Sequence, residues 1–471
     1  MWSNCNAFVV PTLESCTSNI DSNCDGRFGC NGVVKSSIAA STSEDDAIFG
    51  VATAYGNNGF DGAAYGVGYR SANAASDGTP SSAKVLVLKQ ETNGDPTDWS
   101  YKFNIGASGH AYARAVAVSA QEDVIIVGVY QEGSLSIEGQ GLPTAGVEMR
   151  SFIASFTATG SLRFAQSLGT NGTTMINDVG VDGNGNIFVG GQFNAPIDFG
   201  NGIVMPAGID GFIASYSDTG SLRWKQIFSG AGDQSVDVLS VDTFAKIYTA
   251  TNFTGVIDIP GGPAITSDGQ SDGLITAFHP NSGAVLWNNQ AGGSGNAAVT
   301  AMASRGGNLA VAVAFQGDLG FGPANHTNPE IDGASDTLMA TLETDGGAVM
   351  ASNPIGGTGM QLVKGMDLDS FGDIVTAGLF WTSLPLAGLT DLTTNGTDVN
   401  AFVIKFGPNL APYWGYDYGD TQTQAFLDVA IEHSTGHIFP GGAFQGAMTG
   451  FGLIPIQSTT GFDALFGTLS N

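Results

Sequence analysis

The residues best suited to chemistry stand at the start of the chain. Asp21-Ser22-Asn23-Cys24-Asp25-Gly26 places oxygen ligands at the first, third and fifth positions of a loop and glycine at the sixth. That is the first half of a calcium loop. The twelfth position is Gly32, so the bidentate glutamate of a strong site is missing. The segment reads either as a weak Ca2+ site on Asp21, Asn23 and Asp25 or as an Asx-rich turn between two cysteines. Cys5, Cys16, Cys24 and Cys30 are the chain's only cysteines. An even, clustered set implies two disulfides and an oxidising compartment, with three pairings open. Zinc is the rival reading, but the Cys-x-x-Cys spacing that would favour it does not occur.

Elsewhere the candidates are dispersed. His433 and His437 are four apart beside Glu432, a zinc-like spacing only on a helix. Ser434-Thr435-Gly436 between them reads as a hairpin turn, which removes that helical face. Asn171, Asn252, Asn325 and Asn395 each open an Asn-x-Thr triplet. These are glycosylation acceptors only where the source has the machinery.

The elements that would position such residues are repeated. An aromatic closes a β-rich run at Tyr55, Tyr130, Phe193, Phe253, Phe315, Phe380 and Phe444. A second apolar column opens the next run at Val85, Phe152, Phe212, Leu274, Leu338, Phe402 and Leu465. Both recur every ~60 to 75 residues, the signature of a repeat architecture. In the third copy, Asp178 to Asp182 alternates with the strand period of two. Gly183-Asn184-Gly185 turns, and Asn186 to Phe193 forms a second strand. An excursion around Ile197-Asp198-Phe199-Gly200 follows, then strands at Phe212 to Tyr216 and Leu222 to Phe228. Four short antiparallel strands joined by Gly, Asn and Asp turns make a propeller blade. The expected fold is all-β, a seven-bladed β-propeller of four-stranded antiparallel blades over 33–471. Residues 1–32 form a cysteine-rich N-terminal segment. Aromatics at the fixed positions, among them Trp224, Trp287 and Trp414, are expected to pack blade against blade.

The motifs Val181-Asp182-Gly183-Asn184-Gly185-Asn186, Gly191-Gln192-Phe193 and Asp210-Gly211-Phe212-Ile213-Ala214 resemble the bacterial β-propeller repeat family called SBBP. The resemblance runs from about residue 33 to 471. It is most specific in the second to fourth copies and degraded in the longer first unit. It implies a secreted or surface location and no defined enzymatic activity.

The seventh copy ends early. Asp463 to Leu469 is its third strand, and no fourth follows before Asn471. An open strand edge must be covered. Asn6-Ala7-Phe8-Val9-Val10-Pro11, within the first 13 residues, is the expected partner. It would pair within the chain to close a monomer, or with the next chain to build a head-to-tail filament. The connectors between blades are Gly-rich and ring one mouth of the central channel. A ligand there would draw on His110, Asp233 and Asn296.

Composition bounds the partners. Net charge is −28, from 43 acidic and 15 basic residues. Such a surface repels phosphates and anionic lipid, so nucleic acid and membrane insertion are excluded as expectations. The first residues carry no basic or apolar leader pattern, so disulfides imply a mature or partial chain. Function is expected to be non-enzymatic: an extracellular or cell-surface structural, adhesion or assembly protein. Its partners would be other copies of itself, surface proteins or glycans. The alternatives are a carbohydrate- or peptide-binding module at the channel mouth and, further off, a secreted glycosidase or lyase. No cofactor beyond Ca2+ is implied.

Overall fold

The computed structural model describes residues 34–470, apart from 41–44, 55–62, 71–82, 92–96, 99–102, 171, 243–245, 323, 329–333, 395–397, 452–455 and 459–460. The four cysteines, the candidate calcium loop, Tyr55, Asn171, Asn395 and the first 13 residues therefore lie outside the described residues.

Every regular element among the described residues is a β-strand. Seven sheets of four principal antiparallel strands follow one another along the chain. Sheet 3 shows how sequence makes one. Thr174–Val181, Ile187–Phe193, Asp210–Tyr216 and Leu222–Phe228 pair in chain order. The third of these strands is buried at every residue, because neighbouring sheets cover both faces. The Asp-x-x-Gly-Asn turn explains itself physically. Asp182 Oδ1 accepts the N–H groups of Asn184 and Asn186 at 2.9 and 2.8 Å, and Asn186 Nδ2 donates to Oδ2 at 2.8 Å. The side chain thus replaces the hydrogen bonds that the reversing backbone gives up.

The inner strands are Asp46–Thr53, His110–Val118, Thr174–Val181, Gln234–Val241, Ala297–Arg305, Gln361–Leu368 and Gln424–Ile431. Each contacts the inner strands of the sheets before and after it, and the last contacts the first. The sheets therefore stand in a closed ring, which is the β-propeller fold. Outside, fourth-strand aromatics lock successive sheets, as expected. Trp224 Nε1 donates to Pro280 O of sheet 4 at 2.8 Å, and Trp287 Nε1 to Thr344 O of sheet 5 at 2.9 Å. Each indole lies over a turn glycine of positive φ, Gly283 and Gly347, where a Cβ would collide with the ring.

Sheet 7 departs from chain order. Gln424–Ile431, Ile438–Phe444 and Asp463–Leu469 are joined by Val34–Ala40 as fourth strand, antiparallel, with Ser37 opposite Gly467 and Ala40 opposite Ala464. This corrects the expectation that the first 13 residues fill that place. The reason is connectivity. The step from Ala40 to Asp46 is the same outer-to-inner connection that runs from Phe228 to Gln234 in the regular part. The edge that exchange between chains would have filled is occupied within this chain. The first unit is corrected as well: its second strand is Ala63–Arg70, not a run ending at Tyr55.

Candidate functional site

All seven inner strands carry a β-bulge at the same place. The extra residues are Phe49, Arg114, Asn177, Asp237, Thr300, Lys364 and Leu427. A bulge re-aims one side chain out of the regular alternation. Here all seven line one cavity of about 360 Å3 on the ring axis, together with the residues that follow them. The channel thus has a belt of one residue per sheet. Polar groups occupy the arc from Arg114 to Lys364, and Leu427 and Phe49 complete the circle.

The acids beside this belt are engaged. Asp178 accepts the N–H of Leu239 on sheet 4 at 2.7 Å and that of Val179 at 2.8 Å. Asp428 repeats the arrangement at the junction of sheets 7 and 1, with Val51 N at 2.7 Å and Val429 N at 2.8 Å. Asp367 does so one step back, at the junction of sheets 6 and 7, with Leu368 N at 2.7 Å and Ile431 N at 2.8 Å. Each is a staple from one inner strand to the next. Burial pushes the Asp178 carboxyl up to about 7 and that of Asp428 up to about 8, against the main-chain bonds that favour the anion. Asp237 is held by neutral donors: Ser235 Oγ at 2.5 Å, Asn252 Nδ2 at 2.8 Å and Asn177 Nδ2 at 3.0 Å. Its carboxyl too is raised, chiefly by burial.

The donors are not engaged in the same way. Arg114 Nε and Thr300 Oγ1 are buried with no hydrogen-bond partner among the described residues. Lys364 is exposed to the cavity, and burial within the ring lowers its pKa, an effect opposed by Asp237 and reinforced by Arg114.

The residues singled out from sequence fall elsewhere. His110, Asp233 and Asn296 do stand at the head of inner strands, on sheets 2, 4 and 5, but none lines the cavity. His110 Nε2 faces Glu132 at 3.3 Å. Asn296 donates to Gln316 Oε1 at 3.0 Å, and exposed Asp233 gives its N–H to Thr254 Oγ1 at 3.0 Å. Each is tied to the start of its own excursion loop. Asn252 is corrected as a glycosylation acceptor. Its amide bridges Asp237 and both backbone groups of Val299, and attachment would break that bridge. Asn325 is exposed on the Ala324–Thr327 strand. Glu432 caps its hairpin turn, accepting from Ser434 N at 2.8 Å and Thr435 N at 2.9 Å. His433 instead lines the channel. Among the described residues no group of three or more His, Cys, Asp or Glu is placed to hold a metal.

The belt was missed because one residue per repeat, of seven different types, leaves no column to read. The available signal was charge inside strands otherwise built of small apolar residues: Arg114 in Ala-Tyr-Ala-Arg-Ala-Val, Lys364 in Leu-Val-Lys-Gly-Met.

No family model and no curated protein matches the chain. Among solved structures, it is similar to BamB from Moraxella catarrhalis, at 10% identity over 93% of this chain and 99% of that one, with a TM-score of 0.37. Quinohemoprotein alcohol dehydrogenase from Comamonas testosteroni is 9% identical over 90% of this chain and 76% of that one, with a TM-score of 0.36. The corresponding enzyme from Pseudomonas putida HK5 is 8% identical over 75% of this chain and 74% of that one, with a TM-score of 0.34.

Proposed function

We propose that this chain is a non-enzymatic scaffold of the extracellular space or cell surface, a seven-bladed propeller that holds or spaces partners and does not transform a substrate. The observation that carries the reading is the use made of the inward-facing acids. Asp178, Asp367 and Asp428 each have both carboxylate oxygens bound by main-chain N–H groups of adjoining inner strands. General acid–base work needs a carboxyl with an oxygen turned to substrate, and glycoside cleavage needs two. Acids spent as staples fit a rigid ring better. The net charge of −28 keeps such rings apart in solution and favours basic or cation-bridged partners. The cysteine cluster supports an oxidising compartment.

The test combines imaging with an activity screen. Negative-stain images of the purified chain should show discs. Chromogenic glycosides and uronic-acid polymers should not be turned over. Turnover that is lost in the Asp428→Asn variant, with the fold retained by circular dichroism, would overturn the reading.

A further inference from the structure

We propose that the channel belt binds a small anion, carrying carboxylate or phosphate groups, between Arg114, Thr300 and Lys364. The argument is one of unspent hydrogen-bonding capacity. Seven side chains are turned into the cavity by the bulges, and those with polar atoms divide sharply. Asn177 and Asp237 are bound to each other and to sheet 4, through Asn177 Nδ2 to Asp237 Oδ1 at 3.0 Å and to Val236 O at 3.0 Å. The flanking acids Asp178, Asp367 and Asp428 are bound to main-chain N–H groups. What remains is a set of donors. Arg114 Nε and Thr300 Oγ1 are buried and have no partner among the described residues. Among the described residues Lys364 forms no ion pair, although Asp237 and Asp367 line the same cavity. Leaving the buried Nε of the charged Arg114 side chain unpaired costs free energy, so its retention calls for an acceptor supplied from outside, one that the exposed Lys364 ammonium would also meet.

Geometry narrows the class. Lys364 and Thr300 sit on neighbouring sheets 6 and 5, and Arg114 sits on sheet 2, across two sheets from Lys364 by way of Leu427 and Phe49. A bound anion would meet a guanidinium on one side and an ammonium with a hydroxyl on the other. The apolar pair Phe49 and Leu427 would flank it. A planar fork and a point charge suit carboxylate and phosphate oxygens. The cavity, about 360 Å3, is at the small end of ligand sites and fits a compact di- or tricarboxylate or a phosphate ester. Arg114 and Lys364, with Arg305 also on the cavity wall, place three of the chain's 15 basic residues there, which would help draw an anion past the acidic exterior.

Citrate, succinate and inorganic phosphate are the probes, with sucrose as the uncharged control, each followed by calorimetry and by thermal unfolding of the full chain. At least one anion should bind at one site per chain and raise the unfolding temperature, and sucrose should not bind. Arg114→Gln and Lys364→Gln should each weaken that binding by about tenfold or more, the usual scale of a charged hydrogen bond. Both variants should fold, and in the absence of anion neither should unfold at a lower temperature than the parent, because an unpaired cation is removed. Arg163→Gln, on the outer face beside Asp123, should bind as the parent does. Absence of binding by all three anions would overturn the proposal. So would binding that Arg114→Gln and Lys364→Gln leave intact, which would place the anion elsewhere. A marked loss of stability in both variants without anion would show that the two cations are already paired.

Discussion

Sheets 3 and 7 have the same four-stranded ladder, but the chain reaches it by different routes. In sheet 3 the third and fourth strands, Asp210–Tyr216 and Leu222–Phe228, are a hairpin closed by Thr219-Gly220. In sheet 7 the third strand, Asp463–Leu469, pairs with Val34–Ala40 from the other end of the sequence. The first pairing costs a short loop. The second must bring together the two ends of the ring, at a larger loop-closure entropy. The structure answers with cross-links on both sides of the seam. Gln90 of sheet 1 donates to Ser36 and to Thr468, one on each strand of the pair. Phe462 N donates to Asp45 at 2.8 Å, and Asp46 N to Phe462 O at 2.7 Å. Asp428 staples the inner strand of sheet 7 to Val51, as Asp178 staples sheet 3 to Leu239. A ring built of local hairpins therefore has one long-range joint, and it lies within a sheet, not between sheets.

The largest expected effect follows from cutting that joint. A chain beginning at Val34 keeps the closing strand and should remain a monomeric ring. A chain beginning after Ala40 loses it and exposes the whole edge of Asp463–Leu469. It should lose several kcal/mol and associate through the open edge, as read by denaturant unfolding and sedimentation.

Next come the outer locks. Trp224 is 8% exposed and bonded to Pro280, whereas the corresponding place in sheet 5 is held by Ala351, and Met350, one residue before it on the other face, is 73% exposed. Trp224→Ala should cost about 3 to 5 kcal/mol and Met350→Ala no more than about 0.5. Equal costs for the buried indole and the exposed methionine would show that the indole does not hold the sheets.

The paired staples sharpen the comparison further. Asp178→Ala and Asp428→Ala each leave main-chain N–H groups without their acceptor, at about 1 to 3 kcal/mol. Hydrogen exchange should separate them. Loss of Asp428 should speed exchange at the seam, and loss of Asp178 should speed it only around Leu239.

The smallest effect is a pH slope. Unfolded, both carboxyls ionise near pH 4; folded, Asp178 does so at about 7 and Asp428 at about 8. Across that interval the folded chain holds more protons than the unfolded one, so these groups make stability fall as pH rises from about 4 to about 8. Access of channel water to both side chains tempers the size. Stability measured by denaturant at each pH should decline less steeply in Asp428→Ala than in the parent.

Much of the fold was legible because it repeats. Phe193, Phe212 and Trp224 recur at fixed offsets since every sheet must bury the same faces against its neighbours. The closing strand was not legible. Val34-Lys35-Ser36-Ser37-Ile38-Ala39-Ala40 carries none of the repeat's landmarks, and its partner lies at the opposite end of the sequence. The channel belt was hidden for the opposite reason. Its positions are fixed by the repeat, but Arg114, Thr300 and Lys364 share no chemistry that would mark a column. A bulge is invisible until the register of two strands is known. His110, Asp233 and Asn296 stand at or just before the heads of inner strands, and the partners they meet there belong to the excursion loops, whose course the repeat does not reveal.

The most direct test of the closed ring is hydrogen exchange on the intact chain, followed by mass spectrometry over a range of protein concentrations. Amides in Asp463–Leu469 should be protected as strongly as those in Asp210–Tyr216, and Val34–Ala40 should be protected along with them, at every concentration. Exchange of 34–40 at the rate of an open loop would contradict the account. So would protection of 463–469 that appears only as concentration rises, since the edge would then be covered by another chain.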